Sequence, residues 1–194
     1  TRRSSDLSPR ARARLVAYLP QTRPVAWPGR VRDLVALGRF AHGAALGRLA
    51  APDEAAVARA LSACELERLA DRRADTLSGG ELARVHCARA FAAETPLLVA
   101  DEPVASLDPL HQFRTMGLFR AYAARGGGVL VVLHDLALAA RFADDVLLLR
   151  DGRAVATGAA AEVLEAATIR EVFGIRARVS RGPDGLEVVP AGLP

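Results

Sequence analysis

The chain has 194 residues, 51% hydrophobic and 25% charged, with a formal net charge of +4; this balance fits one globular domain or two small ones and excludes a disordered or fibrous protein. All 26 residues in the Lys+Arg count are arginine, so neither a Schiff-base lysine nor a P-loop lysine is available. Cys64 and Cys87 stand outside any C-x-x-C spacing, which argues against a disulfide framework or a zinc site and for a reducing compartment, and no apolar run approaches the ~20 residues that span a bilayer.

In chain order, residues 15–19 form a short apolar run ended by Pro20 and Gln21, read as a buried strand entering a loop. Residues 31–93 are rich in Ala, Leu and Arg with helical periodicity over 31–37 and 53–64, and a further helix opens near Ser78. Strands then alternate with helices: an apolar strand at 97–101, a helix at 110–124, a β-branched strand at 129–133 after Gly126-Gly127-Gly128, a helix at 136–143 and a strand at 146–149. This rhythm predicts a mainly parallel sheet covered on both faces. Asp151-Gly152 reads as the tight turn of a hairpin continuing over 153–157, since both residues tolerate positive φ. Two short helices (162–165 and 169–173) follow, and Pro183-Asp184-Gly185 turns between two terminal strands.

Several segments carry chemistry. Leu77-Ser78-Gly79-Gly80-Glu81 has the Ser-x-x-Glu spacing of a capping box, and its two glycines leave backbone N–H groups uncovered at a helix N-terminus, where the dipole favours phosphate. Either reading, plain cap or phosphate cradle, accounts for the pattern taken alone. Asp101 and Glu102 end an apolar strand, at the edge where parallel α/β sheets place their ligands; there Asp101 suits Mg²⁺ and Glu102 suits proton abstraction from a water. His134 follows the next strand, Gln21 ends the first, and Ser106-Leu107-Asp108 lies just after the carboxylate pair. On this topology Gln21, Asp101, Glu102 and His134 converge on one sheet edge. Cys64 and Cys87 read as small core residues, and His42, His86 and His111 as polar residues of helices or loops.

Together these segments resemble an ATP-binding-cassette (ABC) ATPase, in the family's order and over essentially the whole chain. Gln21 matches the Q-loop, Leu77 to Glu81 the signature motif, Leu97 to Asp101 the Walker B strand with Glu102 as catalytic glutamate, Ser106 to Asp108 the D-loop and His134 the H-loop; Glu81 for Gln and Val104 for Thr depart mildly. The resemblance implies an α/β P-loop NTPase core with a mainly parallel sheet and an inserted helical subdomain. It divides the chain into a remnant of the N-terminal core (1–28), the helical subdomain (29–92), an α/β core (93–160) and a peripheral C-terminal part (161–194). It also implies ATP and Mg²⁺ as ligands and a head-to-tail pair of subunits, likened to a homodimer. Ser78, Gly79, Gly80 and Glu81 then serve the partner subunit's γ-phosphate, Asp101 and Gln21 the metal and attacking water, Glu102 the activation of that water, Asp108 the D-loop, and His134 the γ-phosphate.

Narrower segments, Leu37-Gly38-Arg39 with His42, Leu107-Asp108-Pro109-Leu110-His111-Gln112 and Val132-Leu133-His134-Asp135-Leu136, resemble the ATPases of importers for ferric siderophores, haem and cobalamin. That likeness implies transmembrane permease partners, an indirect link to a substrate-binding protein, no nucleic acid, and a cytoplasmic place on the inner face of a bacterial membrane. Trp27 and Arg30, Arg32 and Arg39 fall where such a permease would touch, or form a packed tryptophan and a solvated arginine face. No G-x-x-x-x-G-K-[ST] occurs; by the resemblance it belongs upstream of Thr1, so the chain is expected to be N-terminally truncated, to lack the P-loop strand and helix, to expose apolar sheet surface and to be inactive alone. The competing readings are a non-transport ABC ATPase acting on nucleic acid and a degenerate structural partner subunit.

Overall fold

The computed structural model describes residues 7–21, 28–183 and 185–193, in two compact units that divide between Val132 and Leu133. In the first unit a short helix, α1 (Pro9–Ala13), capped by Ser8, leads into strand β1 (Val16–Leu19). Strands β2 (Leu97–Asp101) and β3 (Gly128–Val132) lie beside it in the order β1-β2-β3. All pairings are parallel, with Ala17 opposite Leu98 and Leu98 opposite Val129. Buried Thr95 locks the entry, accepting from the Ala17 amide at 3.2 Å and donating to the Leu97 carbonyl at 2.8 Å. Parallel strands deliver their following residues to one edge, so Gln21 and the Asp101–Glu102 pair emerge side by side.

One face of this sheet, with Ala17, Leu19, Leu98 and Ala100, is buried. Helix α4 (Gly79–Ala92) packs beside β1 and helix α5 (Pro109–Ala124) beside β3, with Phe91 edge-on to Phe119 and stacked on Tyr122. The other face carries Tyr18, Leu130 and Val132, each about half exposed. A sheet covered on both faces, as its rhythm alone suggests, thus gives way to the exposed apolar sheet surface that the resemblance implies: apolar residues alternate to both sides, and among the described residues helices cover one side.

Helices α2 (Val31–Ala36) and α3 (Ala51–Ala63) complete the helical part against α4. Asp53 and Glu54 in the first turn of α3 suit the positive end of its dipole. Its core is aliphatic, Val35, Val57, Leu61, Cys64, Val85 and Cys87 among others, and both thiols are buried, as expected of small core residues; burial pushes the Cys64 thiol far up. A 3-10 turn, Leu37–His42, crosses the end of α4. Here Arg39 is only 6% exposed: its guanidinium donates to Asp53 at 2.8 Å, to the Ala92 carbonyl at 2.9 Å and to Glu94 at 3.2 Å. The reading of Arg39 as part of an exposed arginine face is thus corrected, because a buried carboxylate and the orphan carbonyls of a helix end give its charge partners. Arg30 and Arg32 are exposed and pair with Asp71. Trp27 lies outside the described residues.

The second unit holds helix α6 (Leu136–Phe142), the hairpin β4 (Asp145–Arg150) and β5 (Arg153–Ala159), helices α7 (Ala160–Val163) and α8 (Ala166–Phe173), and the hairpin β6 (Arg176–Gly182) and β7 (Gly185–Gly192). Asp151 and Gly152 turn the first hairpin at φ +51° and +73°, as anticipated. The strand read at 146–149 pairs antiparallel with β5, as the two-residue turn between them requires. Leu148, Leu164, Ile169 and Val188 form the core of this unit.

Candidate functional site

The edge beyond β1 and β2 brings together three of the predicted residues. Gln21, two positions past β1, donates from Nε2 to Glu102 Oε2 at 2.7 Å, across 81 positions of sequence. A carboxylate only accepts hydrogen bonds, so the amide nitrogen must face it and the amide oxygen of Gln21 is left for another ligand. Asp101 ends β2, and Tyr18 from the neighbouring strand directs its hydroxyl to Asp101 Oδ2 at 3.4 Å. Glu102 extends the ladder, donating its amide to the Val132 carbonyl at 3.2 Å. Its backbone sits at φ +44°, a left-handed conformation unusual for a side chain of this size and typical of sites where geometry is imposed.

A second group lies at the N-termini of α4 and α5. Ser78 accepts from the Glu81 amide at 3.2 Å while its own amide donates to Glu81 at 2.8 Å, so the capping box read from the sequence is formed. The Ser78 amide, first among several contacts, holds the Glu81 carboxyl below its ordinary range. Gly79 is open, with no atom within 4 Å of where a Cβ would stand. Gly80 is covered: a Cβ there would fall 2.1 Å from His111 Cδ2. Asp108 caps α5, accepting from the His111 amide at 3.0 Å and facing His111 Nδ1 at 2.8 Å; these bonds, the backbone one first, hold its carboxyl low. His134, exposed, follows β3 by two positions and belongs to the second unit.

Two contributors escaped the sequence reading. Tyr18 is set by the alternation of β1, which also points it at Asp101. His111 reads in the sequence as a polar residue within the 107–112 segment that carries the importer resemblance, with no role of its own; its signal is the three-residue spacing from a helix-capping aspartate.

Among the described residues no group of three or more His, Cys, Asp or Glu side chains forms a metal cage. Mg²⁺ held with a polyphosphate takes one or two protein oxygens and fills its octahedron with phosphate and water. The Asp101 carboxylate and the Gln21 amide oxygen, whose nitrogen faces Glu102, are donors of that kind.

The family model of ABC transporters matches residues 2–105. The hemin import ATP-binding protein HmuV of Pseudomonas aeruginosa is 42% identical over 179 residues, which cover 90% of this chain and 69% of that protein. The chain belongs to the ABC transporter family. Among solved structures, an ABC transporter of metal-chelate type in an inward-facing conformation shares the fold, with a TM-score of 0.80 at 24% identity over 91% of this chain and 72% of its own. A dimeric bacterial ABC transporter cassette gives a TM-score of 0.67 at 27% identity over 81% of this chain and 69% of its own. By family, then, this is an ABC-type ATPase with an α/β P-loop NTPase core, and the chemistry its residues must be measured against is hydrolysis of ATP.

Proposed function

We propose that the chain is the ATP-hydrolysing subunit of an importer that takes up a metal chelate, haem foremost because hemin import is what its relatives are named for. The observation that carries the hydrolytic reading is the Gln21–Glu102 pair at 2.7 Å beside Asp101 at the end of a parallel sheet. Phosphoryl transfer needs little covalent chemistry from the protein; it needs a held metal, an oriented water and charge stabilisation. Asp101 and the Gln21 amide oxygen would hold Mg²⁺, which when bound would supply charge neutralisation on the phosphates. Glu102 accepts the proton of the attacking water, and the Gln21 amide, bonded to the same carboxylate, fixes the direction of the accepting oxygen.

The remaining roles follow the family order. The start of α4, Ser78 through its hydroxyl and Gly79 and Gly80 through their amides, with Glu81 closing the cap behind them, binds the γ-phosphate of ATP held by a second subunit, likened to a homodimer. Asp108 shapes the loop between the sites, and His134 contacts the γ-phosphate from beyond β3. The helical segment 29–92 carries the signature turn and meets the transmembrane permease, which places the protein on the inner face of the membrane; a binding protein delivers the chelate from the far side. No helix of the described residues is long and apolar enough to cross a membrane.

These 194 residues contain no lysine, hence no P-loop lysine to hold the β- and γ-phosphates. By themselves they are inactive. The test compares this chain alone with a P-loop-containing form of it co-expressed with a permease: the assembly hydrolyses ATP in Mg²⁺ and takes up haem, Glu102→Gln abolishes both, and the 194-residue chain alone does neither. Mg²⁺-dependent hydrolysis by the chain alone that disappears in Glu102→Gln would refute its inactivity. Salt-sensitive DNA binding with no membrane partner would overturn the importer reading.

A further inference from the structure

We infer that His111 is a positioning residue that fastens the signature turn to the capped start of α5, so that Ser78–Glu81 and the loop ending at Asp108 move as one piece. Two independent contacts carry this. The His111 ring lies on the backbone of Gly80 so closely that a methyl group there would fall 2.1 Å from Cδ2, 2.3 Å from Nε2 and 2.6 Å from Cγ. Glycine at this position is therefore what admits the ring. On the other side Nδ1 faces Asp108 Oδ2 at 2.8 Å, and since an ionised carboxylate only accepts, Nδ1 carries the proton. The same carboxylate accepts the His111 amide at 3.0 Å through its other oxygen. Asp108 thus uses both oxygens on one residue, fixing the imidazole plane as it caps the helix.

The consequence lies in the turn beyond Gly80. The Glu81 and Leu82 amides are bonded to the Ser78 hydroxyl and carbonyl at 3.2 and 2.9 Å, and the ring braces the backbone immediately before them. Gly79, with open space at its Cβ position, remains available to a ligand. The turn therefore has a braced residue and a free one side by side. Loss of the brace lets the Gly79 amide wander from the direction in which a phosphate is met. The catalytic part of this inference rests on reading Ser78–Glu81 as the phosphate-contacting turn; the mechanical part does not.

Amide hydrogen exchange on the 194-residue chain tests the mechanical part, using His111→Asn, which keeps a donor for Asp108 without the ring, and His111→Phe, which keeps a ring without the donor. Each is expected to speed exchange at Glu81 and Leu82 by about tenfold, the equivalent of one net hydrogen bond, while amides in β2 and the middle of α4 are unchanged. Gly80→Ala is expected to lower Tm in the parent and to be far better tolerated in the His111→Ala background, where the ring it strikes is gone. Exchange that rises uniformly, or not at all, or a Gly80→Ala penalty independent of His111, would overturn the inference. In an assembly that hydrolyses ATP, His111→Phe is expected to lower kcat by about tenfold to a hundredfold, the cost of misplacement on the order of an ångström, with KM for ATP unchanged; an unchanged kcat overturns the catalytic part. If the parent assembly hydrolyses no ATP, the functional reading fails while the exchange result still decides the brace.

Discussion

Glu102 shows how one residue can trade stability for placement. Held at φ +44°, it carries a conformational cost of about 1–3 kcal/mol and in return directs its carboxylate to Gln21 at the sheet edge. Glu102→Gly removes the strain, at the expense of a more flexible unfolded chain. It is expected to raise stability by about 1 kcal/mol or less, read as a higher denaturant midpoint with unchanged m, while eliminating hydrolysis in any active assembly. Glu81 makes a pH-dependent contribution instead. Its carboxyl is held low by the Ser78 amide, so the stability it contributes is fully present above the ordinary carboxylate pKa and is lost as pH falls through the lowered value. Thermal unfolding between about pH 6 and pH 3 should show a steeper acid decline in the parent than in Glu81→Gln, and Asp108, lowered by the His111 amide and ring, should behave alike in Asp108→Asn.

At the scale of elements, the 3-10 turn Leu37–His42 is a clamp on the end of α4. Gly38 passes so near that helix that a Cβ would meet the Arg89 carbonyl oxygen at 2.1 Å, Arg39 donates to the Ala92 carbonyl, and His42 Nε2 lies 3.0 Å from the Ala93 carbonyl. The Leu37-Gly38-Arg39 segment with His42, which resembles importer ATPases as a pattern, therefore has a packing explanation of its own. Gly38→Ala improves helix propensity by at most about 1 kcal/mol but forces apart two backbones, so a net loss of about 1–3 kcal/mol and a lower Tm are expected. Arg39→Ala leaves Asp53 buried without its partner and is expected to cost about 3–5 kcal/mol. The double variant Arg39→Met with Asp53→Leu should recover most of it, a result checked by denaturant titration.

For the whole molecule, the uncovered sheet face matters most. Tyr18, Leu130 and Val132, on one face of the sheet, are 56%, 55% and 45% exposed, and exposed apolar surface drives association where it is contiguous. The 194-residue chain is expected to sediment as a concentration-dependent oligomer, and Leu130→Glu to shift it toward monomer; a parent that stays monomeric would refute this. The sequence alone was enough to locate most helices and strands, the Ser78–Glu81 capping box, the Asp151-Gly152 turn and the order of the polar residues, because periodicity, caps and tight turns are written within a few positions. Family membership was legible for the same reason, in short motifs. Only tertiary structure decided that Gln21 donates to Glu102, that Arg39 is buried and Arg32 is not, and that His111 lies on Gly80. An arginine or histidine reads identically in a sequence whether it faces water or a buried carboxylate; its role is set by partners tens of residues away, which only the packed chain brings within reach.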